Sequence, residues 1–322
     1  MIGHMLFGLQ VALAWFCAVN VVASLGFLVS HAAAERSFAG STHPRTFLVW
    51  RFLPLLVSVI ATAGFAIPAY MWLEPRGVEE ATGAVARVLS IGGGLLLGAA
   101  MMRGVRSLRR TSRALRACVA GARPIDHPGA PVPAFAVPDA GAVMLLAGVV
   151  RPRLYVSEQV LAALDAEELN AAIAHEIAHH RSWDNAKRRL FAFAPDVLSW
   201  TARAREIEDR WHQAAEFSAD AAAAGGCEKE AARLASALVK VARLAAGNRM
   251  PDYGCALFHD GHPVGDRVRR LIAGGAASDA RSVSVARAAC SVVAVALTIG
   301  AMPWPAALAF VQEVTEALVH LP

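Results

Sequence analysis

The stretch NAAIAHEIAHHRSWDN, residues 170–185, sets three histidines and a glutamate in a run that is otherwise small and apolar. It follows a helix start: Asp165 and Glu168 have the spacing of a capping box, and the spacing predicts a helix to about Arg181. Positions four apart on a helix differ by about 40 degrees, so His175 and His179 point the same way and can present two imidazole nitrogens to one ion. Glu176 lies about 100 degrees round from His175, where its carboxylate reaches a metal-bound water without being a ligand. This is the HExxH arrangement. One zinc ion per chain suits it, because two neutral imidazoles and a carboxylate leave a fourth position for water.

The third ligand has to come from elsewhere in the chain. WHQAAEFSADAAAA, residues 211–224, supplies Glu216, with Asp220 one turn later on the same helical face. A carboxylate pair on an alanine-rich helix is expensive to bury without partners, and a metal together with a metal-bound histidine would provide both. The neighbours read more plainly. His180 faces solvent or a carboxylate, and His212 occupies an ordinary amphipathic position. Asp184 reads as a helix-end contact, with orientation of a ligand as the alternative.

Working outward, the chain has the composition of a membrane protein: 56% hydrophobic residues in 322, with a net charge of +5. Residues 1–34 hold no Asp, Glu, Lys or Arg, and residues 52–73 and 288–312 are each long enough to cross a bilayer. A further crossing at about 82–102 is expected if Arg87 extends toward the interface. A cleavable signal peptide is not expected, because the first apolar run is too long and no Lys or Arg precedes it. Arg36, Arg45 and Arg51 mark the first loop as cytoplasmic, Glu74, Glu79 and Glu80 the second as external, and RGVRSLRRTSRALR (103–116) the third as cytoplasmic. The two termini are therefore expected outside, with residues 103–286 inside.

The arginines at 103, 106, 109, 110, 113 and 116 fall within an arc of about 140 degrees on a helix, a basic face expected to rest on anionic headgroups. No aromatic residues interleave with it and no nucleic-acid motif follows, so no nucleic-acid partner is expected. Residues 121–133, with four prolines, read as a linker. Short strands are expected at 142–146 and 153–156, then helices at about 204–224 and 228–246. The apolar segment 190–200, broken by Pro195 and Asp196, is expected in the domain core. The five cysteines lack paired spacing and read as free thiols in a reducing compartment.

The expected fold is thus a mainly α membrane protein. It has four transmembrane helices (about 5–30, 52–73, 82–102 and within 287–322), a basic helix and linker at 103–133, and a cytoplasmic α+β zinc domain with a small sheet at 134–286. LNAAIAHEIAHH followed by EFSAD resembles the gluzincin metallopeptidases, and the zincin-like expectation for the domain rests on that. Three spans, a cytoplasmic zinc domain and a fourth span resemble the membrane metallopeptidases of the BlaR/MecR antirepressor type. The lead-in RPRLYVSEQVLAALDAEELNAAIAHE and the trailing RSWDN are similar as well. The resemblance implies His175, His179 and Glu216 as zinc ligands, Glu176 as the base that activates water, and Asp220 as a residue bonded to a ligand. Beta-lactam receptors of that type continue into an external penicillin-binding domain; this sequence ends at Pro322, so sensing of that kind is not expected. GHPVGDRVRRL (261–271) is similar to the His-Pro segment and following arginine of the HtpX and prenyl-protein endopeptidase family. That likeness implies His262 as a donor to the oxyanion, a surface-loop histidine being the alternative.

The expected activity is a zinc endopeptidase at the cytoplasmic face of a cell (inner) membrane, with signalling or regulatory proteolysis as the expected role. Its protein or peptide substrate would lie extended along the strand edge at 142–146. The competing expectation is a membrane signalling or scaffold protein with a structural zinc, closed by a fourth ligand such as His212 or His262.

Overall fold

A computed structural model describes residues 2–38, 43–74, 82–126, 130–138, 144–247, 264–274 and 304–321. Among the described residues, three helical stretches are long and apolar enough to cross a membrane: Gly3–Val29, Pro44–Leu73 and Ala84–Cys118. The first lies in α1 (Ile2–Phe38). The second is α2 (Pro44–Ala61), a π-turn at Thr62–Ala66 just ahead of Pro68, and α3 (Ile67–Leu73). It begins well before residue 52. Proline at the first helical position favours that start, and Arg51 does not end the apolar helix because it turns inward and is buried.

The third stretch, α4 (Ala84–Cys118), unites the expected span and the basic helix in a single element of 35 residues, about 52 Å long at 1.5 Å per residue. Its glycine run brings it onto α1: a Cβ at Gly93 would stand 2.4 Å from the carbonyl oxygen of Leu13, so only glycine admits this approach. Of the expected fourth span, residues 288–303 lie outside the described residues, and α11 (Trp304–His320) covers the remainder.

Beyond α4 the chain forms a four-stranded mixed sheet of β1 (Arg123–Ile125), β2 (Ala134–Val137), β3 (Met144–Ala147) and β4 (Arg153–Ser157), in the order β1-β2-β4-β3. The β1–β2 and β3–β4 pairs are antiparallel and β2–β4 is parallel. The proline-rich segment is therefore not only a linker. Pro124 pairs with Phe135 in an edge strand, where a proline's missing N–H can face away from the ladder. The expected strand at 142–146 corresponds to β3, residues 142 and 143 lying outside the described residues.

Next come α5 (Glu158–Ala163), α6 (Ala166–Arg181), α7 (Asp184–Phe193), α8 (Ala202–Ala224), α9 (Glu228–Gly247) and α10 (Val264–Ile272). The capping box of α6 is complete, with Asp165 accepting from the Glu168 N–H and Glu168 accepting from the Asp165 N–H. Gly225 in the left-handed region (φ 56) ends α8. Met144, Leu146, Leu154 and Val156 pack one sheet face against Leu169, Ile173 and Ile177 of α6 and Val241 of α9. Val137, Leu145 and Tyr155 on the other face meet Cys118 at the end of α4. A second core joins the apolar helices to this domain, with Phe27 and Phe47 packed among Phe191, Leu198, Ile207 and Trp211. The segment 190–200 thus enters a core, as expected, but one whose other half comes from the candidate spans.

Candidate metal centre

Small residues explain how two helices from distant parts of the sequence can share an ion. Ala171, Ala172 and Ala178 on α6, and Ala214, Ala215 and Ala219 on α8, are buried, which permits close packing of the two helices. His175 and His179 stand one turn apart on α6, and Glu216 meets them from α8. The Nε2 atoms of the two histidines are 3.1 Å apart. Glu216 Oε2 lies 3.4 Å from Nε2 of His175, and Oε1 lies 3.2 Å from Nε2 of His179. One ligand atom from each of the three residues lies within 4.8 Å of the other two, close enough for the three to share one ion such as zinc.

A carboxylate lies beside each of the other ring nitrogens. His179 Nδ1 is 2.8 Å from Asp184 Oδ2, and His175 Nδ1 is 2.9 Å from Asp220 Oδ1. At His179 the carboxylate at Nδ1 fixes the tautomer with its proton there and turns the Nε2 lone pair inward, as a metal ligand requires. Asp184 is brought to His179 by Trp183, which takes the left-handed conformation (φ 58) after the end of α6 and reverses the chain into α7. Asp184 therefore fills both roles read from the sequence, starting α7 and orienting a ligand.

Arg267 on α10 is the residue whose role the sequence reading missed. It is buried and donates twice to Asp220, from Nε (2.8 Å) and Nη2 (2.6 Å), while Nη1 lies 3.0 Å from Glu216 Oε2. Its sequence signal is the arginine that follows the His-Pro pair in GHPVGDRVRRL. Residue 262 lies outside the described residues, as do Cys255, Cys290 and His127. His212 packs edge-on against the Trp211 ring, 4.9 Å away, and is not one of the gathered ligands. His180 lines the cavity described below.

The charges ask for a cation. Glu176, Asp184, Glu216 and Asp220 are all buried, and Arg267 is the buried arginine among them. Burial opposes ionisation of Glu216, yet the two histidines hold its carboxyl well below the ordinary value. For His179, burial works against protonation, but Asp184 and Glu216 override it and raise the imidazole to about 10. A site with this affinity for protons has the same electrostatic reason to take a divalent metal.

Glu176 differs from the other acids. Burial raises its carboxyl above the ordinary value, against the pull of the two histidines. Its Oε2 accepts the backbone N–H of Leu146 on β3 at 2.9 Å, and the Leu146 carbonyl accepts from Asn185 Nδ2 at 3.0 Å. β3 is an end strand of the sheet, so Glu176 and Asn185 meet it on the side away from β4. A cavity of about 220 Å3 opens there, walled by Leu108, Thr111 and Leu115 of α4, by β3, and by the histidine helix. Among the described residues no fourth His, Cys, Asp or Glu joins the triad, which leaves the ion's fourth side to this cavity.

No family model matches the chain. Over 43 residues it is 49% identical to a protein named Protease HtpX homolog from Archaeoglobus fulgidus; the match covers 13% of this chain and 13% of that protein.

Proposed function

We propose that this chain is an integral-membrane zinc endopeptidase acting at the cytoplasmic face, its zinc domain beginning with β1 and its termini outside. The observation that carries the reading is the triad of His175, His179 and Glu216, gathered closely enough to share one ion, with an open cavity and a buried glutamate beside it. The local likeness to a protease named HtpX homolog supports the same class.

When bound, zinc supplies Lewis acidity, polarising a carbonyl and making water nucleophilic near neutral pH. The chain's own residues do the rest. Glu176, whose burial raises its proton affinity, accepts the proton of the attacking water at its carboxylate and returns it to the leaving amine. An extended substrate segment paired along β3 on either side of Leu146, whose own edge N–H and carbonyl are taken by Glu176 and Asn185, would bring its scissile carbonyl beside Glu176. His262 keeps the oxyanion-binding role implied by the resemblance. Two residues later begins α10, whose Arg267 reaches the site. A structural zinc site would be closed by a fourth protein ligand, and among the described residues none stands there.

The test uses two variants of the full chain. Glu176→Gln is expected to retain zinc and lose peptide hydrolysis by about 10²–10⁴-fold. His175→Ala is expected to lose both. Hydrolysis at the parent rate by purified Glu176→Gln protein would overturn the assignment.

A further inference from the structure

Three candidate spans converge on one short connector. Residues 194–201 join α7, which carries Asp184, to α8, which carries Glu216 and Asp220. From α1, the fully buried Asn20 donates from Nδ2 to the carbonyl of Pro195 (3.3 Å) and accepts the N–H of Val197 (2.9 Å). From α4, Arg103 donates to the carbonyls of Ala192 (3.1 Å) and Ala194 (2.6 Å). From α2, Arg51, 1% exposed, donates to Asp196 Oδ2 (2.9 Å), Ser199 Oγ (2.6 Å) and Glu208 Oε1 (2.6 Å).

An asparagine and an arginine buried in apolar helices are expensive there unless partners satisfy them, and the partners found are the connector and α8. Pro195 and the carbonyls around it gain the bonding that an irregular segment packed among apolar helices needs. Glu208 also sits on the same helix as Glu216, eight positions earlier and about 12 Å along the axis. A helix is stiff over two turns, so whatever fixes Glu208 also sets the axial position and rotation of Glu216.

We propose that Asn20, Arg51 and Arg103 are positioning residues for the metal centre. The spans hold the connector, Arg51 pins α8 through Glu208, and the placement of Glu216 opposite the two imidazoles depends on that grip. Metal affinity and coordination geometry are then outputs of span packing, although none of the three residues touches the ion. The inference rests on the zinc-site reading of the triad.

The experiment loads the full chain in phosphatidylcholine/phosphatidylglycerol nanodiscs with Co2+ and records the ion's visible absorption. Zinc affinity is then measured by chelator competition. Arg51→Gln and Asn20→Ala are expected to shift the cobalt bands and weaken zinc binding about tenfold or more, the scale seen when groups supporting ligands are removed. Arg51→Lys should recover part of the loss. Arg45→Gln, an exposed position on the same helix, should match the parent. If Arg51→Gln does not assemble, Asn20→Ala decides alone, since it removes two neutral hydrogen bonds and no charge. Parent-like spectra and zinc affinity within twofold of the parent would overturn the proposal. Absence of cobalt binding by the parent would count instead against the triad as a metal site.

Discussion

His179 is held at both ring nitrogens, facing Glu216 and His175 on one side and Asp184 on the other. The Asp184 bond does more than pair charges. It places the proton on Nδ1 and so leaves Nε2 free to bind an ion. Asp184→Asn is therefore expected to lower zinc affinity about 10–100-fold while leaving the fold intact, read by chelator competition on the purified protein. At this scale the sequence was informative wherever chemistry repeats at helical spacing. His175, Glu176 and His179 follow from one turn of α6, and Asp220 follows from Glu216 by one turn of α8. Asp184 could be given only two readings, because its approach to His179 depends on a left-handed backbone at Trp183, a residue type that seldom adopts it. Arg267 was marked only as the arginine following the His-Pro segment, and nothing local to it shows which groups it would meet. Its partners are 47 residues away at Asp220 and 92 residues away at His175.

At the scale of the element, α6 begins on an acid that serves both its cap and its core contacts. The buried Glu168 accepts the Asp165 N–H, the hydroxyl of Ser236 and the ammonium of Lys240 on α9. Burial opposes its ionisation, but Lys240, Ser236 and the cap N–H prevail and hold its carboxyl below the ordinary value. A folded-state value below the unfolded one contributes stability that is present above the ordinary carboxylate range and lost as pH falls through the folded value. Glu168→Gln should therefore melt at a lower temperature than the parent near pH 7, and the two curves should converge as pH drops below about 4. A thermal melting series from pH 3 to 7 reads both limbs. The capping box itself was legible because it needs residues three apart and nothing else. β1 was misread, because proline is a turn former almost everywhere except at a sheet edge, and whether a strand is at an edge is a property of the assembled sheet.

Over the whole molecule, the apolar helices and the elements that carry the triad share a core. Phe27 and Phe47 pack among Phe191, Leu198, Ile207 and Trp211, and Phe52 stacks on Phe191 at 5.4 Å between ring centroids. Each buried phenylalanine is worth about 1.5–3 kcal/mol in area removed from water, so a fragment without α1–α3 loses several such contributions. A fragment of residues 103–286 is expected to show weakened near-ultraviolet dichroism and to bind a hydrophobic dye, where the full chain in nanodiscs does neither. Full tertiary dichroism and parent-like zinc stoichiometry in the fragment would show that the domain stands alone.

The amino-acid sequence by itself determined the long apolar helices, the run of helices after the sheet, and the three residues that come together as candidate ligands. Those features rest on periodicity, capping and residue chemistry within a turn or two, and they need no knowledge of what packs where. Tertiary structure decided which groups hold the ligands in place: the sheet edge at Glu176, the reversal at Trp183, the arginine beside Asp220, and the grip of three spans on one connector. Such contacts join residues tens to hundreds of positions apart, where burial and directional hydrogen bonds exist only after the helices have met.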